Sequence, residues 1–235
     1  MSIDIVRAIK APWQNGGGFW RMFLGALVFC VPILGFISQG YLVEYLKKVS
    51  EGREQLGNIF EHGSQSFVTG FKYFVGWVLL FIPVGILVFI FAMLIGKDSK
   101  FMLESIYQVI NIIFMIVVFI MTISFCTDFK ISSFLNFKNG YLIIKENLTK
   151  FIVACAFSIL VQLFYILCIA VAGIVLAFFI PLLMQIPLFG IILVIAMIFL
   201  TGAIMFANAV AITHIMGQYA AESKYFAQLK QQNHI

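Results

Sequence analysis

The sequence predicts an all-α, polytopic helical membrane protein of four to five spans, with a bent or re-entrant first hairpin and interfacial amphipathic helices. Three observations carry this. No Asp, Glu, Lys or Arg occurs from Phe151 to Tyr219, and none from Ile106 to Cys126. A hydrocarbon core about 30 Å thick takes roughly 20 apolar residues of helix, so both stretches are long enough to cross it. Hydrophobic residues make up 63% of the 235-residue chain and charged residues 11%, against roughly 45–50% and about 25% in soluble domains. Finally, Lys and Arg fall in the connectors beside the apolar runs. The net charge of +5 is therefore a property of membrane loops, and no nucleic-acid partner follows from it.

Residues 1–20 read as an interfacial N-terminal segment. Ile3, Ile5, Val6 and Ile9 share one helical face, with Asp4, Arg7 and Lys10 off it. Pro12 stops this piece, and Trp13 and Trp20 flank Asn15-Gly16-Gly17-Gly18 at a membrane interface. The glycines lack the Lys-Ser/Thr of a phosphate-binding loop, so they read as an elbow. The segment also lacks the apolar core of a cleavable signal peptide. A bent or re-entrant hairpin follows over 22–46, interrupted at Pro32-Ile33-Leu34-Gly35 and at Gly40. Spans are expected at 71–95, 106–126, 151–180 and 182–219, with a cytoplasmic tail over 220–235. Pro32, Gly35, Pro83 and Pro187 are the expected helix breaks, because proline withholds an N–H from the carbonyl one turn upstream.

Charge decides between two arrangements of the first run. If all five runs cross, the 15 Lys and Arg divide ten to five between the two sides. If the first run turns back at Pro32–Gly35, they divide thirteen to two. The positive-inside rule prefers the second, with both termini cytoplasmic; a single tilted span is the alternative. Lys47, Lys48, Lys72, Lys138, Lys145 and Lys150 then lie at headgroup level, where basic interfacial helices at 1–12, 53–70 and 131–149 favour anionic lipid. In the last of these, Leu135, Tyr141, Leu142, Ile144 and Leu148 point toward lipid, and Lys138, Lys145, Glu146 and Lys150 toward water or headgroups. Phe60-Glu61-His62-Gly63 and Phe137-Lys138-Asn139-Gly140 precede Phe74 and Phe151 by the same step. That pattern reads either as a weak internal duplication or as loops converging on one composition.

Chemistry-bearing residues are sparse. Gln162, Asn208, His214 and Gln218 form a possible intramembrane polar cluster, which would line a cavity or bond neighbouring helices; the second use is the commoner. Glu44, one turn before Lys47 and Lys48, reads as a structural ion pair. His62, His214 and His234 are scattered, and Cys30, Cys126, Cys155 and Cys168 form no CxxC pair. No HExxH or Gly-x-Ser-x-Gly pattern is present. The expectation is a non-enzymatic protein with no catalytic residue, metal or cofactor.

Trp13, the Pro32–Gly35 break, Gly40-Tyr41, Lys47-Lys48, Gly52, Phe71-Lys72, Asp128-Phe129, Asn136-Phe137, Tyr141 and the run His214–Tyr219 together resemble the domain of unknown function 4013 family of bacterial and archaeal membrane proteins. The chain is more remotely similar to the membrane region of glycerophosphodiester phosphodiesterases, whose hydrolase is a separate soluble domain. The resemblance implies a multi-pass fold in the cytoplasmic (inner) membrane of a prokaryote, and no reaction. Three functions are then expected, in order. The first is a scaffold or accessory protein binding lipid, another membrane protein or a second copy of itself. The second is a small-molecule or peptide transporter or channel, which requires a polar path reaching Gln162, Asn208 or His214. The third is an immunity protein against a membrane-active peptide.

Overall fold

Apolar runs this long form helices, since backbone N–H and C=O groups in lipid must be satisfied within the chain. The computed structural model describes residues 3–13, 18–95, 100–183 and 187–232, and no strand occurs among them. In order, the helices are α1 (Ile5–Lys10), a 3₁₀ turn (Ala11–Trp13), α2 (Gly18–Cys30), α3 (Pro32–Ser50), α4 (Gly63–Ile95), α5 (Lys100–Phe125), α6 (Ile131–Phe134), α7 (Phe137–Glu146), α8 (Leu148–Leu183), α9 (Pro187–Glu222) and α10 (Lys224–Gln232). Four of them, α4, α5, α8 and α9, are long and apolar enough to cross a membrane. The protein is an all-α, multi-pass membrane protein. The expected elbow at Asn15-Gly16-Gly17 lies outside the described residues, as does His234.

Two compact units are formed. One comprises the chain up to Gly70 together with Thr149–Glu222; the other comprises Phe71–Leu148 and the chain from Ser223 on. In the first, α2 and α3 both pack on α9. Helix α9 has 36 residues, about 54 Å at 1.5 Å per residue, well beyond the roughly 30 Å of hydrocarbon. Packing is concentrated in its second half. Phe206, Ala207, Val210, Ala211, Ile215, Tyr219 and Ala220 are buried, whereas Ile191, Ile192, Ile195 and Ile198 are exposed.

The first apolar run is not one straight helix. Val31 adopts an extended conformation (φ −97°, ψ 116°) between α2 and α3. A Cβ at Gly25 on α2 would lie 2.4 Å from the Phe206 ring, and the Tyr41 ring on α3 stacks 6.4 Å from the same ring. Continuous helix would set positions 25 and 41 about 24 Å apart, too far to share one phenyl ring. The chain turns back at Val31. Pro32 opens α3 and Pro187 opens α9, where a missing N–H forfeits no helical bond. The other two expected breaks are corrected. Helix α4 continues through Pro83, and Gly35 sits in the first turn of α3, donating its N–H to the Val31 carbonyl at 2.8 Å. Likewise α8 runs through Pro181 to Leu183, past the expected end at Ile180.

Helix α3 ends in a Schellman arrangement: Arg53 N–H reaches the Lys48 carbonyl and Gly52 N–H the Val49 carbonyl, both at 2.9 Å. Gly52 supplies the positive φ of 77° that this stop requires. The interfacial helix expected over 53–70 is absent. The chain from Arg53 to Asn58 is irregular, α4 begins at Gly63, and Leu56 and Ile59 turn inward. Two tyrosines of α3 hold this loop, Tyr41 donating to the Gly57 carbonyl at 2.9 Å and Tyr45 to the Glu54 carbonyl at 3.4 Å. Phe60–His62 is therefore a turn, whereas Phe137–Gly140 is the first turn of α7; the two stretches differ in local structure.

Helix α3 then meets the start of α4 with backbone against backbone. A Cβ at Gly40 would sit 1.7 Å from the Ser66 carbonyl oxygen, and a Cβ at Gly70 1.8 Å from the Phe36 carbonyl oxygen. Each helix thus presents a glycine to the carbonyl one turn before the other's glycine, an antiparallel crossing open only to residues without a side chain.

In the second unit the end of α5 is the core. Phe119 through Thr127 are buried, and Tyr107, Val109, Ile112 and Ile113 are exposed. Tyr73, Phe125 and Phe134 form a ring cluster with centroids 5.5–6.0 Å apart. Tyr73 also hydrogen-bonds Thr122 at 3.0 Å. Gly140 on α7 faces Ile120 and Met121, which seats α7 on α5.

Candidate functional site

Polar residues in an apolar helix must find partners, because an unpaired group there forfeits a solvated hydrogen bond. His214 and Gln218 are one turn apart on α9 and face the same way. His214 is fully buried, and its Nδ1 lies 2.8 Å from the Tyr45 hydroxyl. Gln218 grips the backbone of Asp4: Asp4 N–H donates to its Oε1 at 2.7 Å, and its Nε2 donates to the Asp4 carbonyl at 3.3 Å. Asp4 in turn caps α1, accepting from Val6 and Arg7 N–H. These bonds fasten α1 to α9. The face α1 buries is Ala8, followed by Ala11 and Pro12, while Val6 is exposed. Ile3, Ile5 and Ile9 are half-buried, so the packed side of α1 centres on Ala8.

The four polar residues are not linked into one hydrogen-bonded network. No hydrogen bond joins Gln162, Asn208, His214 and Gln218 to one another among the described residues. Helical rotation explains part of this. At about 100° per residue, Asn208 lies roughly 120° around α9 from His214. Its Oδ1 is buried without a protein partner. Gln162, on α8, is half-buried.

The charged residues are also redistributed. Glu44 accepts from the Ser66 hydroxyl at 2.9 Å, beside the Gly40–Gly70 crossing, in place of the expected lysine pair. Lys150 pairs with Glu222 at 2.6 Å, and that carboxylate is only 6% exposed. It is thus committed within the protein. Lys72, Lys138 and Lys145 are exposed, and Lys47 and Lys48 half-exposed. Arg7 lies 3.5 Å from both Asp4 and Glu54, contacts too solvated to contribute much. Among the described residues, no three His, Cys, Asp or Glu side chains gather as metal ligands.

In the second unit Glu146 faces protein rather than headgroups. Its carboxylate accepts from the Ser223 hydroxyl at 2.8 Å and from the N–H groups of Lys224 and Tyr225 at 2.9 and 3.0 Å. Tyr225 adds a bond to Asn139 at 3.1 Å. Helix α10 is thereby docked on α7 through its positively polarised N-terminus. Slight burial opposes ionisation of Glu146, but the Tyr225, Ser223 and Lys224 bonds and the Lys224 charge outweigh it and lower its pKa. A depressed folded pKa gives stability that is present above the unfolded value, about 4.3, and lost as pH falls through the folded value. Amide protection of residues 224–232, relative to intrinsic exchange, should therefore be full at neutral pH and be lost only in acid, below the ordinary carboxylate range. Glu146→Gln should show the lower protection already at neutral pH; equal protection in both proteins at every pH would remove this role for the carboxylate.

With the geometry in place, comparison with known proteins adds the family. The model of a family described as "Protein of unknown function (DUF4013)" matches residues 23–178. The chain belongs to the DUF4013 family. No curated protein and no solved structure matches it. The match takes in the α2–α3 hairpin, the Gly40–Gly70 crossing and α7 of this DUF4013 protein. Asp4, His214 and Gln218 lie beyond its ends. Of these features, sequence reasoning reached His214, Gln218 and the turn near Pro32. It missed Gly40–Gly70 and the partners of Glu146, because each depends on residues far apart in the chain.

Proposed function

We propose that this DUF4013 protein is a non-enzymatic scaffold or accessory protein of the prokaryotic cytoplasmic membrane, binding lipid or another membrane protein. The observation that carries the reading is where the spans keep their contacts. Only 11% of the most apolar stretch of α4 is buried within the chain, and 28% of that of α5. Ile86, Phe89 and Met93 on α4 and Ile112 and Ile113 on α5 are exposed. Such surfaces suit lipid and helical partners, whose association in a bilayer rests on packing. Of the polar groups that a transport path would need, Gln218 is instead spent on Asp4, and His214 commits its Nδ1 to Tyr45. Asn208 Oδ1 and His214 Nε2, both buried without a protein partner, are the observation that favours a transporter as the second reading.

In this proposal α2 and α3 form a re-entrant hairpin and both termini are cytoplasmic. Helix α2 has 13 residues, about 20 Å of helix, too short to cross. The turn carries exposed apolar side chains, Val31 and Ile33, the latter 69% exposed, which suit a tip immersed in lipid. Thirteen of the 15 basic residues then share the cytoplasmic side. Single-cysteine variants in a cysteine-free background test both parts. Gly16→Cys and Gln55→Cys should react with an impermeant thiol reagent from the cytoplasmic face only. Ile86→Cys carrying a photoactivatable group should give an adduct with a defined membrane protein, a second copy or lipid. Labelling from opposite faces would eliminate the hairpin. Adducts absent at position 86 together with solute flux through proteoliposomes would eliminate the accessory role.

A further inference from the structure

Helix α7 has three sides, and two are filled. Gly140 and Ile143 are buried, with Gly140 against Ile120 and Met121 of α5. Asn139 and Glu146 hold Tyr225 and the start of α10. On the third side Phe137, Tyr141, Lys145 and Lys138 follow one another within about 100° of the helix circumference. Phe137 is 55% exposed and Tyr141 61%, and both lysines are exposed. No ion pair or hydrogen bond engages Lys138 or Lys145 among the described residues. The only acid on α7, Glu146, is turned away to α10. This side is therefore cationic and aromatic with no counter-charge of its own.

We propose that this free side of α7 is a seat for the anionic phosphate headgroups of the bilayer surface. The occupant follows from where α7 sits in the chain. A single residue, Asn147, separates it from the spanning helix α8, and α5 spans on its other side. Leu148, the residue after Asn147 that opens α8, is exposed as well. An acidic soluble partner would satisfy the lysines but leave Phe137, Tyr141 and Leu148 in water. A bilayer surface satisfies both, with aromatic rings at headgroup depth and ammonium groups at the phosphates. The proposal names the partner of one surface within the accessory reading and rests on that reading for its biological sense.

The test uses the full chain in nanodiscs of roughly four parts phosphatidylcholine to one part phosphatidylglycerol, with Tyr141→benzoylphenylalanine as a photocrosslinker. A basic side chain at an anionic surface is worth about fivefold in local occupancy. The ratio of phosphatidylglycerol to phosphatidylcholine adducts should exceed the one-to-four ratio of the mixture by about fivefold. The enrichment should vanish in Lys138→Gln/Lys145→Gln and persist in Lys138→Arg/Lys145→Arg, with unchanged melting in both. Adducts in proportion to the lipid mixture, no lipid adduct, or adducts to a protein alone when repeated in native membranes would each overturn the assignment. The adduct at position 86 is read separately, so failure of the lipid seat and failure of the accessory reading are distinguishable.

Discussion

Gly40→Ala is expected to lower stability by about 3 kcal/mol, because the added methyl has nowhere to go. Its Cβ would lie 1.7 Å from the Ser66 carbonyl oxygen and 2.8 Å from Gly70 N. Both are backbone atoms of α4, so no side-chain rotation relieves the overlap. The helices must separate, which lengthens the reciprocal contact at Gly70 and strains the Glu44–Ser66 bond at 2.9 Å. Side-chain overpacking costs roughly 1–3 kcal/mol, and a backbone clash belongs at the upper end. Gly70→Ala should behave alike, since it meets the Phe36 carbonyl at 1.8 Å. Gly35→Ala is the control. It lies on the same helix with nothing within 4 Å, and alanine should gain about 0.5–1 kcal/mol there through helix propensity and a stiffer unfolded chain. Thermal unfolding in detergent, followed by circular dichroism, reads all three. Equal melting of Gly40→Ala and Gly35→Ala would refute the crossing.

His214→Ala is the second large effect, expected at about 3 kcal/mol. The imidazole is fully buried between α9 and α3, so its removal leaves a cavity and takes the shorter of the Tyr45 hydroxyl's two bonds, leaving only the 3.4 Å bond to the Glu54 carbonyl. Part of the loss should be absent when Tyr45 is already Phe, because that background has no hydroxyl bond to His214 to lose. A coupling of about 1 kcal/mol in the double-mutant cycle is the expected signature. The same variant separates packing from transport. A solute flux in wild-type proteoliposomes that disappears in His214→Ala at unchanged melting temperature would make His214 part of a path and displace the accessory reading.

Much of the architecture could be read from the chain. Uncharged runs identified the spans, and Pro32–Gly35 read as an interruption of the first apolar run, which the structure places at Val31. Errors arose where one sequence feature serves several structures. Proline reads as a break, yet Pro83 lies inside α4, as proline can where neighbouring groups satisfy the freed carbonyl. The amphipathic composition of 53–70 reads as a surface helix. Gly52 instead ends α3, and the Tyr41 and Tyr45 hydroxyls hold the following loop. At the candidate site, His214 and Gln218 were visible as polar residues in an apolar run, but Tyr45 and Asp4 were not visible as their partners.

The sequence by itself determined the class: hydrophobic length and charge confinement depend on composition along the chain, and a bilayer selects on those directly. Tertiary structure alone decided which polar groups are spent and which are free. Gly40 and Gly70 meet because two helices cross there, Glu146 turns from headgroups to α10 because a helix N-terminus is brought to it, and Lys138 and Lys145 are left without a carboxylate partner among the described residues. Each of these is a pairing between residues distant in sequence, fixed by close packing and hydrogen-bond geometry rather than by any local pattern.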